Sequence, residues 1–289
     1  MRFFLFLIVT FVHLLASNAF ITPDELKNDF GREDVVLLDV SPKEVYKAGH
    51  IKNALHVTLS DFTDMEKPWL LAPLEKREST LKNLGIDSNS TVVIYSHNGE
   101  NSLLRTSFLA FVLLEGGFEN VSILEGGYMA WVFEYEFLVT SEFAFALHKG
   151  DVKLKKTDII VDMDFLKNTT SSVTLLDARS PMEYFGVEKS KDIQAIGHIP
   201  HAKSSHYKDK FLRDGLLRDE KEIAQIYVQG HGLQPDDAIV VYADTIFAAS
   251  MEWYILYKHL NFKNTKMYEK SFMEWGNENN TSVTRFKWE

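Results

Sequence analysis

Short apolar runs, each closed by a polar residue or a turn, occur twice along this chain in the same order. The first is Val35-Val36-Leu37-Leu38, ending at Asp39; its counterpart is Val173-Thr174-Leu175-Leu176, ending at Asp177. A second pair is Thr91-Val92-Val93-Ile94-Tyr95 and Ala238-Ile239-Val240-Val241-Tyr242, each preceded by turn residues, at 85–89 and 232–237. The third pair is Val121-Ser122-Ile123-Leu124 and Thr265-Lys266-Met267-Tyr268. Runs this short and without strict alternation predict strands of a sheet covered on both faces. Between the second and third run of each set the apolar spacing becomes helical, over 103–114 and again over 250–260. Strands alternating with helices predict an α/β fold, a mainly parallel sheet flanked by helices, built twice.

Other landmarks keep the same order. Gly49-His50-Ile51 is matched by Gly197-His198-Ile199-Pro200, and Trp131 by Trp275. The second copy carries about ten extra residues, around 187–195, ahead of its Gly-His pair. These repeats divide the 289 residues into domains at 20–147 and 157–289, with the basic stretch 148–156 as linker. Each half is expected to bury a core of its own.

Residues 1–19 read as an export signal. Arg2 precedes an apolar run over 3–15, and Ser17 and Ala19 suit a cleavage site that would leave a chain beginning near Phe20. That run falls short of the roughly 20 residues that span a bilayer, so a periplasmic or secreted protein without stable membrane insertion is expected. The formal net charge of −10 argues against nucleic acid as a partner, since phosphate binding needs clustered Lys and Arg. The chain has no cysteine, which removes disulfides and any thiolate for nucleophilic catalysis, redox chemistry or soft-metal ligation.

The repeated landmarks, with Glu125-Gly126-Gly127-Tyr128-Met129-Ala130-Trp131 and Tyr268-Glu269-Lys270-Ser271-Phe272-Met273-Glu274-Trp275, resemble the rhodanese superfamily. The arrangement is similar to the tandem thiosulfate and mercaptopyruvate sulfurtransferases. That resemblance implies a catalytic cysteine directly after a strand of the second domain, in a loop that wraps the sulfur in backbone N–H groups. Here Ala243 stands at that position, and Asp244, Ile246 and Phe247 occupy places the family keeps small. Asp244 either sets a negative charge where an anionic donor would sit or caps the following helix. Arg179 matches the family's substrate-orienting arginine and is expected to pair with a nearby carboxylate. In the first domain Ser96 replaces the cysteine and Asn101 an arginine of the family's loop, whereas Gly99 and Ser102 are kept. Ser96 with His97 as base would be needed for a hydrolase; a weak anion-binding cradle formed by Gly99 and Ser102 is the favoured expectation.

The expected function is that of an exported tandem rhodanese-like protein, inactive as a sulfurtransferase, acting as a binding or scaffold module. The alternative is the sulfurtransferase activity that the resemblance implies. No cofactor and no metal are expected; His198, His201 and His206 are read as structural, and Asp39 and Asp177 as anchors of loop backbone. The expected partner is a protein or a small sulfur-containing ligand. Sequons stand at Asn89, Asn120, Asn168, Asn279 and Asn280.

Overall fold

The structure is a computed structural model that describes residues 18–99, 101–169, 173–213 and 215–289. Most of the segment read as an export signal, residues 1–17, therefore lies outside the described residues.

The first half contains strands β1 (Phe20–Ile21), β2 (Val35–Asp39), β3 (His50–Ile51), β4 (Leu55–His56), β5 (Thr91–Tyr95), β6 (Val121–Leu124) and β7 (Val139–Thr140). The second contains β8 (Ile160–Val161), β9 (Thr174–Asp177), β10 (Lys203–Ser204), β11 (Ile239–Tyr242) and β12 (Thr265–Tyr268). Each half forms a five-stranded parallel sheet, in the order β1-β6-β5-β2-β4 and, read the same way, β8-β12-β11-β9-β10. The duplication in sequence is thus a duplication of topology. It extends to the sheet's margin: β3 pairs antiparallel with β7 through His50 and Thr140, and a single bridge joins His198 to Thr284.

Helices cover both faces of each sheet. They are α1 (Pro23–Asp29), α2 (Lys43–Ala48), α3 (Leu74–Asn83), α4 (Ser102–Glu115) and α5 (Gly127–Tyr135) in the first half. In the second they are α6 (Met163–Asn168), α7 (Pro181–Phe185), α8 (Glu220–Gln225), α9 (Ile246–Tyr254) and α10 (Ser271–Trp275). Local chemistry starts several of them. Thr22 accepts from Glu25 N while Glu25 reaches back to Thr22 N, with Pro23 opening α1; Ser180, Pro181 and Glu183 repeat the device at α7.

Each half buries one apolar cluster of its own, Leu37, Val93, Tyr95 and Trp131 in the first and Val240, Tyr242, Tyr268 and Trp275 in the second, but the larger core is shared. Helices α4 and α9, both strongly apolar and largely buried, face each other across the boundary. The largest apolar cluster runs continuously from Leu38, Ile94 and Phe111 to Val241, Met251 and Trp253. A helix that is apolar all round must be covered all round, and here the other half covers it. The 148–156 stretch is also packed rather than free. Gly150 N donates to Lys82 O at 2.8 Å, Val152 N to Ile86 O at 3.1 Å and Lys155 N to Gly116 O at 2.9 Å, with Val152 and Leu154 buried. A Cβ at Gly150 would stand 2.0 Å from Ile86 O, so glycine is required where the strap crosses.

Candidate functional site

Strands β5 and β11 deliver their last residues, Tyr95 and Tyr242, into the loops that open α4 and α9. In parallel α/β sheets this carboxyl edge is where ligands bind. The two loops are tied down alike: Tyr128 N donates to Ser96 O at 3.1 Å and Phe272 N to Ala243 O at 2.8 Å.

The second-half loop is closed. Ala243 is fully buried at the end of β11, and its N–H lies 3.4 Å from Ser271 Oγ. Ile246 is fully buried too, and the Phe247 ring stacks on Phe108 of α4 with centroids 4.0 Å apart. Arg179, also buried, donates to Asp177 through Nε at 3.0 Å and Nη2 at 2.6 Å, and to Gly197 O at 2.7 Å. Its guanidinium lies 3.8 Å from the centroid of Phe272. Burial opposes its charge, but the Asp177 carboxylate beside it outweighs burial and holds the pKa above the ordinary arginine value. The expected carboxylate partner of Arg179 is therefore present. Asp244 contributes a second one, 3.6 Å from Arg179 Nη1, and accepts from the Ser190 hydroxyl. Burial lifts the Asp244 carboxyl to about 6. Asp244 caps nothing: the residue at the cap of α9 is Thr245, with no side-chain bond, and Asp244 turns inward to Arg179 instead.

The first-half loop is open. Ser96, nearly buried, and Ser102 line a cavity of about 270 Å³ whose far wall comes from the second half through Phe211 and Arg213. Phe20 and Glu125 complete its sides, and Glu125 Oε1 accepts from Leu217 N at 3.1 Å, holding the wall in place. Gly99 has φ 152°, where glycine is at ease, and Ser102 N bonds back to Gly99 O at 3.2 Å as α4 starts. Asn101 stands at the head of α4 with φ 64° and forms no side-chain cap. Gly127 is needed here as well: a Cβ would approach Ser96 O to 2.6 Å.

Ser96 Oγ donates to the His97 carbonyl at 3.3 Å and lies 3.5 Å from Ser41 Oγ. The His97 ring points elsewhere. It stacks on Tyr128 with centroids 3.6 Å apart, and its Nε2 is 3.9 Å from Asp39 Oδ2. A Ser96–His97 hydrolytic pair does not form, because the adjacent side chains diverge from the loop.

A profile of the rhodanese-like domain matches residues 22–134 and again 163–278. The chain belongs to the rhodanese family. It is 30% identical over 268 residues to a thiosulfate sulfurtransferase of Azotobacter vinelandii, covering 91% of this chain and 96% of that protein. To the sulfur carrier protein TtuD of Thermus thermophilus it is 26% identical, over 81% of this chain and 84% of the other. Among solved structures, the anaerobic ergothioneine biosynthesis enzyme of Chlorobium limicola superposes with a TM-score of 0.80 at 21% identity, covering 94% of this chain and 71% of that one. That likeness is one of fold.

Within this rhodanese the remaining sequence candidates are structural. Asp39 Oδ1 accepts from Ser41 N at 2.8 Å, and Asp177 accepts from Arg179 N at 3.0 Å and from the Tyr242 hydroxyl at 2.6 Å, as expected of loop anchors. His198 Nδ1 donates to Tyr184 O at 2.8 Å with the rings stacked, and His50 does the same with Tyr46. His206 packs against Tyr207 instead, apart from His198 in its contacts. Asn120 uses its side-chain amide on Ser90 O and Thr91 Oγ1, at 2.9 Å each, whereas Asn89, Asn168, Asn279 and Asn280 are exposed. Sequence reasoning missed Arg213, which reaches the first-half loop only across the boundary between halves, and Glu125, which holds that far wall through Leu217 N. It also missed the role of His97, although a signal was present: the first copy has Ser41 where the second has Arg179.

Proposed function

We propose that this tandem rhodanese is a binding or scaffold module that does not carry sulfur itself, and that it works after export, outside the cytoplasm. The apolar run over 3–15 supports the second part. One observation carries the first: at the end of β11, where a family nucleophile would stand, there is a fully buried Ala243, and the arginine beside it is already committed to Asp177, Asp244 and Gly197. An alanine methyl has no lone pair to accept a sulfane sulfur, and a guanidinium held by two carboxylates has little left for a donor anion.

The ligand site is the first-half cavity. Ser96, Ser102 and Arg213, beside the first turn of α4, suit a small sulfur oxyanion, with the lining carboxylate of Glu125 engaged by Leu217 N, and Phe20, Phe211 and Leu217 supply apolar walls. Transfer of sulfur would require a thiol brought by a partner.

Calorimetric titration with thiosulfate tests the reading. Saturable binding that weakens at least about fivefold in Arg213→Ala, without thiocyanate formation on adding cyanide, is the expected result. Thiocyanate formation, or binding indifferent to Arg213, would sink it.

A further inference from the structure

In the second half a buried aspartate after the strand, Asp177, is neutralised by Arg179 from two residues further on. In the first half the aspartate is retained as Asp39, but Ser41 stands at the arginine's place and carries no charge. The space is not left to apolar atoms. His97, from the loop, enters from the other side and takes up the arginine's place among the same neighbours, at longer range. Its Nε2 faces the Asp39 carboxylate at 3.9 Å, as Arg179 faces Asp177. Its ring stacks on Tyr128 at 3.6 Å, as the guanidinium lies on Phe272, the residue at the same place in α10. It lies beside the Gly49 carbonyl, as Arg179 donates to Gly197 O. Ser41 completes the exchange by accepting the His97 N–H at 2.8 Å, which holds the loop over the aspartate. The position that is His97 here is Asp244 in the second half, so the base has moved from beside the strand end to the loop, where the other half carries an acid.

The two solutions differ in one respect. A guanidinium stays charged at every accessible pH, and an imidazole does not. Asp39 Oδ2 and His97 Nε2 face each other with no hydrogen-bond partner on either atom. A proton from solvent placed on Nε2 gives both the partner they lack and cancels the carboxylate's charge beneath the cavity lined by Ser96 and Asn98, the residues that flank His97.

We propose that His97 is the positioning residue of the first-half loop, an imidazole in place of a guanidinium, and that through it the cavity binds an anion together with a proton. The inference rests on the reading of that cavity as an anion site. The groups around the imidazole set the direction. Burial lowers its proton affinity, Asp39 raises it, and His50 beyond Gly49 lowers it. The phenol of Tyr128 on its face and those of Tyr95 and Tyr46 beyond Asp39 are held neutral by burial. The free loop thus holds a neutral imidazole over a carboxylate near neutral pH. An anion arriving at Ser96 favours the protonated form, and by reciprocity protonation favours the anion.

The test is thiosulfate titration of the intact protein at pH 7.5 and 5.5, in buffers of different ionisation enthalpy so that proton uptake is counted. Binding is expected to strengthen by up to about tenfold per pH unit, with a proton taken up per anion. His97→Gln, which keeps a planar polar group of similar reach and removes the titration, should bind with one affinity at both pH values. In the unmodified protein the His97 ring resonances should titrate at higher pH once thiosulfate is added, a readout that needs no variant to fold. Equal binding at both pH values in the unmodified protein, or a His97 titration blind to thiosulfate, would overturn this proposal alone. Absence of binding at either pH would overturn the cavity reading and this one with it.

Discussion

Phe111 of α4 and Trp253 of α9 meet edge to face with ring centroids 4.8 Å apart, joining the two halves through their most buried side chains. Each belongs to the helix that follows its half's central strand, so each half lends its main helix to the other's core. The halves should therefore unfold together. Phe111→Ala is expected to cost about 3–5 kcal/mol and to leave one cooperative transition, read by denaturant unfolding followed at both far-ultraviolet and tryptophan signals. Two separate transitions, with only the first displaced, would show that the shared core is not an energetic unit.

Asn18 and Ala19 offer a second test. Ala19 is buried, and its carbonyl accepts from Ile123 N at 2.9 Å and from the fully buried Tyr254 hydroxyl; Asn18 O accepts from Ser122 Oγ at 2.5 Å. A chain beginning at Phe20 loses both acceptors, and with them all three hydrogen bonds, and leaves the Tyr254 hydroxyl unsatisfied. Relative to a chain beginning at Asn18 it should be less stable by about 1–3 kcal/mol. Equal melting temperatures for the two would contradict this, and would restore Phe20 as a workable mature start.

Acid should weaken the fold through its histidines. Burial, then the neighbouring Lys210 and Lys203, push the His231 imidazole down to about 4, and burial lowers His198, His206 and His259 as well. For each of these groups the unfolded chain takes up its proton first, at the ordinary value near 6.5. Stability is thus lost as pH falls from about 6.5 through the folded values. Asp244 acts in the opposite sense: raised to about 6, it favours the folded state as pH falls through that window. His231→Asn should flatten the fall in unfolding free energy between near neutral pH and about pH 5; an unchanged slope would rule His231 out as a principal cause.

The sheet was readable because strands buried on both faces need near-continuous apolar runs, and the recurrence of Asp39 and Asp177, Tyr95 and Tyr242, Trp131 and Trp275 in the same order carried the repeat. The absence of a nucleophile was equally plain from Ala243. What escaped was relational. The apolar surfaces of α4 and α9 read as cover for their own sheets, since nothing in one helix says which body lies on its outer face. Residues 148–156 are basic and contain a glycine, which reads as a flexible connection, yet the glycine serves a backbone crossing against Ile86. Asp244 stood where a helix cap is common and instead turns to the buried Arg179, as a second carboxylate beside Asp177.

Cysteine restored to each loop measures most directly whether the second-half loop has been closed to sulfur chemistry. In Ala243→Cys the thiol would sit in a fully buried site walled by Ile246 and Phe247 and beside Asp244, so neither iodoacetamide nor thiosulfate should reach it. In Ser96→Cys the thiol would line the first-half cavity at the start of α4, and it should alkylate readily. Thiocyanate formation from thiosulfate and cyanide is then measured for the unmodified protein and for Ala243→Cys. The account predicts no thiocyanate above the uncatalysed background from either. Turnover by Ala243→Cys would show that the loop still opens to an anionic donor, and turnover by the unmodified protein would contradict the account altogether.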